Sequence, residues 1–141
     1  MRWISFACLF PLPAAAWDFT PGPPCVLSHE APAVEIVVTH DPGPPLWSIA
    51  LTRRDGVWPA APSFAIAFEG PGGFSIGTDR HELSGDGATL TVTDTGFGNV
   101  LAGLSGHATA LASTGGTSVA LPLEGAAPFV PLLEDCRPAT S

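Results

Sequence analysis

The chain has 141 residues, with five Lys plus Arg against thirteen Asp plus Glu and a formal net charge of −8. It contains no lysine, which excludes a Walker-type phosphate loop, and so acidic a balance argues against binding a nucleic-acid backbone, which relies on Lys and Arg. Sixteen glycines and sixteen prolines leave no room for long helices.

The chain opens like an export signal. Met1 and Arg2 form a short positive segment, Trp3 to Pro13 is mostly apolar, and Ala14, Ala15 and Ala16 supply the small residues of a cleavage site. The apolar run is too short to span a bilayer and nothing later exceeds it. We expect cleavage after Ala16 and a single β-rich domain over 17–141, without a stable membrane anchor, in the periplasm or secreted. Cys8 leaves with the signal. Cys25 and Cys136 remain, and an even count in an exported chain reads as a disulfide. Beyond the signal, four arginines (Arg53, Arg54, Arg80, Arg137) face thirteen acids, a net charge of about −9. Such a surface favours solubility or a cationic partner.

Short alternating runs between the breakers predict half-buried strands. In 33–39, Val34, Ile36 and Val38 share a face; in 46–53, Trp47, Ile49 and Leu51 do. In 63–69, Phe64, Ile66 and Phe68 alternate with smaller or polar residues, and Phe74 and Ile76 continue the pattern. Leu90 and Val92 alternate with threonines, which favour strands. The runs 107–113 and 117–123 flank Gly115-Gly116, a hairpin signal. The segments "TPGPPC" (20–25) and "HDPGPP" (40–45) read as irregular or extended connections.

Two short helices are expected. In 94–106, Phe97, Val100, Leu101 and Leu104 recur at helical spacing and Gly106 is a natural stop. In 125–136, Ala127, Val130 and Leu133 share a side, Pro128 can open a helix, and Pro131 limits it to a turn or two. Cys136 would then pin it to Cys25. About seven strands joined by tight turns predict an all-β fold, an antiparallel β-sandwich or small barrel with one or two short helices.

Candidate chemistry is sparse. Gly73-Phe74-Ser75-Ile76-Gly77 matches G-x-S-x-G, with Asp79 and His81 close behind. A nucleophile elbow needs a helix after its serine, and no helical pattern follows. The alternation of Phe74 and Ile76 makes Ser75 an outward strand residue. The stretch 78–87 offers Asp79, His81, Glu82 and Asp86, but without the spacing of a known metal motif; it reads as a polar loop in which Asp79 or Asp86 bonds backbone amides. Gly96 and Gly98 start a G-x-G-x-x-G pattern that fails at Leu101. No catalytic residue, metal or cofactor is therefore expected. For a binding surface, the polar residues Thr78, Asp79, Arg80, His81 and Asp86, near Phe97 and Asn99, are the candidates. Trp58, in "GVWPAAP", is the tryptophan expected to be exposed on a loop and free to bind; Trp17, Trp47 and Phe19 could also line a ligand or sugar surface, although one or two tryptophans belong in a sandwich core.

The segments "WDFTPGPPC", "TDRHELS", "LTVTDTGFGNVLAGL" and "LPLEGAAP", followed by the final cysteine, resemble an uncharacterised family of small exported alphaproteobacterial proteins. The resemblance runs from Trp17 to Cys136. Some members carry the label of the helicase component of excinuclease ABC, which implies ATP-driven DNA repair; a short, acidic, lysine-free chain with an export signal does not support that label. The tail "LPLEGAAPFVPLLEDC" is similar to the ending of invasion-associated locus B proteins, which implies a periplasmic, β-rich protein. Neither resemblance brings catalytic residues. The expected function is a non-catalytic periplasmic binding or interaction domain for an unknown protein or small ligand. The alternatives are a small hydrolase or metal-dependent enzyme using Ser75, Asp79, His81 and Asp86, or an acidic inhibitor of a cationic enzyme.

Overall fold

The computed structural model describes residues 17–137; the expected signal peptide and its cleavage site at Ala16 lie outside the described residues. Ten strands form two antiparallel sheets. In chain order they are β1 (Asp18–Thr20), β2 (Cys25–Glu30), β3 (Val34–Asp41), β4 (Leu46–Arg53), β5 (Phe64–Phe68), β6 (Phe74–Thr78), β7 (Glu82–Leu83), β8 (Thr89–Asp94), β9 (Thr109–Thr114) and β10 (Thr117–Pro122). The larger sheet runs β1-β2-β3-β4-β8-β7 and the smaller β10-β9-β5-β6. The sheets remain separate, so the fold is a sandwich and not a closed barrel.

The alternation in the sequence becomes the two inner faces. Val34, Ile36 and Val38 are buried from β3, and Trp47, Ile49 and Leu51 from β4. Register pairs Ile36 with Leu51, Val38 with Ile49, and Leu51 with Leu90, so one apolar row crosses three strands. Phe64, Ile66 and Phe68 of β5 provide the opposing face, flanked by Ala110 and Ala112 of β9 and by Val119 and Leu121 of β10. Facing apolar rows of this kind supply most of the stabilisation of a sandwich.

Three strands were not expected. β1 and β2 extend the larger sheet, with Cys25, Leu27 and His29 pointing inward. The connections 20–25 and 40–45 are shorter than expected, because Thr20, Cys25, His40 and Asp41 belong to strands. β7 has only two residues, Glu82 and Leu83, opposite Thr91 and Leu90.

Helix α1 (Gly98–Gly106) follows β8 and buries Val100, Leu101, Gly103 and Leu104. Gly103 is required there by space: a Cβ would overlap the Phe68 ring. A 3₁₀ turn (Ala127–Phe129) leads into α2 (Val130–Glu134). Val130 and Leu133 face inward as expected, but Ala127 is exposed and Ala126 takes the buried place. α2 is anchored twice. Cys136 forms the disulfide to Cys25, with a Cα–Cα distance of 5.8 Å. The buried His40 donates from Nδ1 to the Leu133 carbonyl at 2.7 Å, and its ring stacks on Trp47 with centroids 3.7 Å apart. Trp47 in turn lies 6.0 Å from Phe97, which precedes α1.

Both anchors can be tested through stability. A Cys25→Ala/Cys136→Ala double variant opens a loop spanning 111 positions and should lose about 4 kcal/mol by the chain-entropy treatment, measured by urea unfolding under oxidising conditions; an unchanged midpoint would contradict a structural disulfide. Gly103→Ala should destabilise by about 1–3 kcal/mol through overpacking against Phe68, outweighing the helix propensity of alanine; a more stable variant would show that the close approach is absent.

Candidate functional site

Two free strand edges define the site. β6 is the edge strand of the smaller sheet. Because β7 stops after two residues opposite Leu90 and Thr91, β8 has no outer partner at Val92, Thr93 and Asp94 among the described residues. Between β6 and β8 the sandwich is left open as a cleft of about 230 Å³. This is slightly below the roughly 300–1,000 Å³ of drug-sized sites, which sets the scale at a small molecule or one chain of a larger one.

The cleft has an apolar interior and a polar mouth. Ile49, Phe64, Ile66, Ile76 and Val92 come from the two sheets, and Phe97 and Val100 from the start of α1. Thr78, Arg80, Thr93, Asp94 and Asn99 also line it. Arg80 reaches Asp94 Oδ2 at 3.4 Å, with side chains 71 % and 41 % exposed. That ion pair is long and wet, so it costs little to open. The first turn of α1, Gly98 to Val100, lines the cleft. No side chain caps this helix and no acid lies in its first turn. The first amides of a helix have no partner within it.

Three of the expected binding residues, Thr78, Arg80 and Asn99, meet at this cleft. The others do not line it. Asp79 is exposed on the crossover from β6 to β7. His81, half-buried, donates from Nε2 to the Ala61 carbonyl at 3.1 Å and lies 6.0 Å from the Phe64 ring; its Nδ1 is buried without a hydrogen-bond partner. Asp86 serves its own turn, accepting from the Ser84 hydroxyl at 2.7 Å and the Ala88 amide at 3.0 Å.

Trp58 corrects the expectation of an exposed loop aromatic: it is only 2 % exposed. Its indole N–H donates to the Leu51 carbonyl at 3.0 Å, its ring meets Phe64 edge-on at 6.3 Å, and the Arg53 guanidinium lies over it at 5.7 Å. A satisfied indole nitrogen removes the main cost of burying tryptophan. Trp17 and Trp47 are buried too.

Ser75 sits on β6 opposite Ala67 and is exposed. Its hydroxyl donates to the Ile66 carbonyl at 3.4 Å, while His81 is engaged with Ala61. Strand β6 runs into the crossover and β7, not into the helix that an elbow requires. Among the described residues, no three His, Cys, Asp or Glu side chains group to hold a metal. The cleft's apolar residues were individually legible as inward positions of strands or, for Phe97 and Val100, of the helix; their shared opening was not.

No family model, curated protein or solved structure matches this chain. No helix among the described residues is long and apolar enough to cross a membrane.

Hydrogen bonds from Ser84 and then Ala88 hold the Asp86 carboxyl below its ordinary value of 3.8. A carboxyl depressed in the folded state adds stability above its unfolded pKa, lost as pH falls through the folded pKa. In an NMR pH titration, Ser84→Ala should raise the Asp86 midpoint toward 3.8; an unmoved midpoint would show that the Ser84 hydrogen bond is not the cause.

Proposed function

We propose that the protein is a non-catalytic binding domain of the periplasm, and that the cleft between β6 and β8 is where it holds its ligand. The observation that carries this reading is the cleft itself: an apolar interior between the sheets, opening at a mouth of polar groups on three elements. Small-molecule sites have this composition, with apolar walls for affinity and a few polar groups for orientation. The disulfide between Cys25 and Cys136 supports an oxidising compartment, and the resemblance to small exported proteins supports the same placement. Ser75 and His81, each turned to a backbone carbonyl, favour binding over hydrolysis.

The test uses an uncharged probe. Titrating 1-hexanol into isotopically labelled protein should shift the amide resonances of Ile76, Val92, Gly98 and Asn99 saturably. Val92→Trp, which fills the cleft from its half-buried edge, should abolish that saturation while leaving the remaining spectrum folded. Non-saturating shifts spread over the whole surface would contradict a binding cleft.

A further inference from the structure

We infer that the ligand of this cleft is a small amphiphile with an anionic, carboxylate-type head, its apolar chain between the sheets and its head at Arg80. This inference rests on the cleft being the binding site and adds the chemical class of what it takes.

The little-used guanidinium of Arg80 at the mouth carries it. Arg80 is placed unlike the other arginines of the described residues. Arg53 donates to the carbonyls of Val57 and Asp55. Arg54 donates to the Ala31 carbonyl at 2.8 Å and pairs with Glu30. Arg137 pairs with Asp135 at 2.8 Å. The Arg80 guanidinium has a single contact, the long one to Asp94, so most of its five N–H donors are available at the cleft. The first turn of α1, whose amides have no partner within the helix, lines the same space.

Acceptors at the mouth are Asp94, Thr78, Thr93 and Asn99, and two of them are already engaged. Asp94 Oδ1 already takes the Thr95 amide at 2.7 Å, and Oδ2 takes Arg80. The Thr78 hydroxyl oxygen already accepts the Arg80 amide at 3.0 Å. A guanidinium matches a carboxylate in both charge and shape, so the free donors of Arg80 are complementary to a ligand that accepts hydrogen bonds. Asp94 then has a definite part: it occupies Arg80 while the cleft is empty, and an incoming carboxylate competes with it. The volume, about 230 Å³, is on the order of eight water volumes, enough for a short acyl chain.

The experiment compares hexanoate, 1-hexanol and hexylammonium by NMR titration on the mature protein and three variants. Hexanoate should bind about two- to fivefold tighter than hexanol, the range of a solvent-exposed ion pair, and hexylammonium should bind no better than hexanol. Arg80→Gln should reduce hexanoate binding to the level of hexanol measured on the same variant, and Arg80→Lys should restore part of the loss. Asp94→Asn should tighten hexanoate by up to about fivefold, because the competing charge is gone; a purely structural ion pair would instead give weaker binding. Equal saturable binding of hexanoate and hexanol, or hexanoate binding untouched by Arg80→Gln, would overturn the anionic class while leaving the cleft as the site. Failure of all three probes to saturate any cleft resonance would overturn the binding site and the inference together.

Discussion

Trp47 stacks with both His40 and Phe97 and so touches the anchors of both helices. The His40 ring lies 3.7 Å from Trp47, nearly parallel, and its Nδ1 donates to the Leu133 carbonyl of α2. Phe97 also stacks on Trp47, at 6.0 Å, and directs the chain into α1. Gly103 completes the seating of α1 by admitting the Phe68 ring against the helix backbone. One stack on β4 therefore ties the disulfide corner to the first turn of the helix that lines the cleft.

The cleft is a consequence of unequal sheets. Six strands face four, and the strand that would cover β8 is reduced to Glu82 and Leu83. Completing the sandwich at that edge would bury Ile76 and Val92; instead both stay half-buried. Leaving apolar surface partly exposed costs some stability. The polar groups gather at the same place because β6, β8 and α1 all end or begin there.

Much of the fold was legible in the residues, for a physical reason. Strands such as β3, β4 and β5 place a large apolar residue at every second position, and each has one face in the core. β2 lacked that signature because its inward residues include His29 beside Leu27; His29 is buried by stacking on Trp17 at 4.8 Å, a partner outside the local pattern. Trp58 misled for a similar reason. Its neighbours Val57 and Pro59 look like a loop tip, and only the carbonyl of Leu51 and the edge of Phe64 explain its burial. At the site, Thr78, Arg80 and Asn99 could be picked out as polar residues near a glycine-rich turn. Asp86 and His81 shared the same composition, yet one serves its own turn and the other anchors Ala61. Which polar residues converge was set by a two-residue strand, and no local pattern announces that.

If the intersheet opening between β6 and β8 receives an apolar chain with its anionic end at Arg80, a crystal structure of the protein with ω-bromohexanoate will show it most directly, since the anomalous signal of bromine locates the chain end without ambiguity. The expected result is a bromine peak between Ile66 and Val92 and a carboxylate within hydrogen-bond reach of Arg80. Bromine found only on the outer faces of the sheets, with the cleft closed by its own side chains, would contradict it.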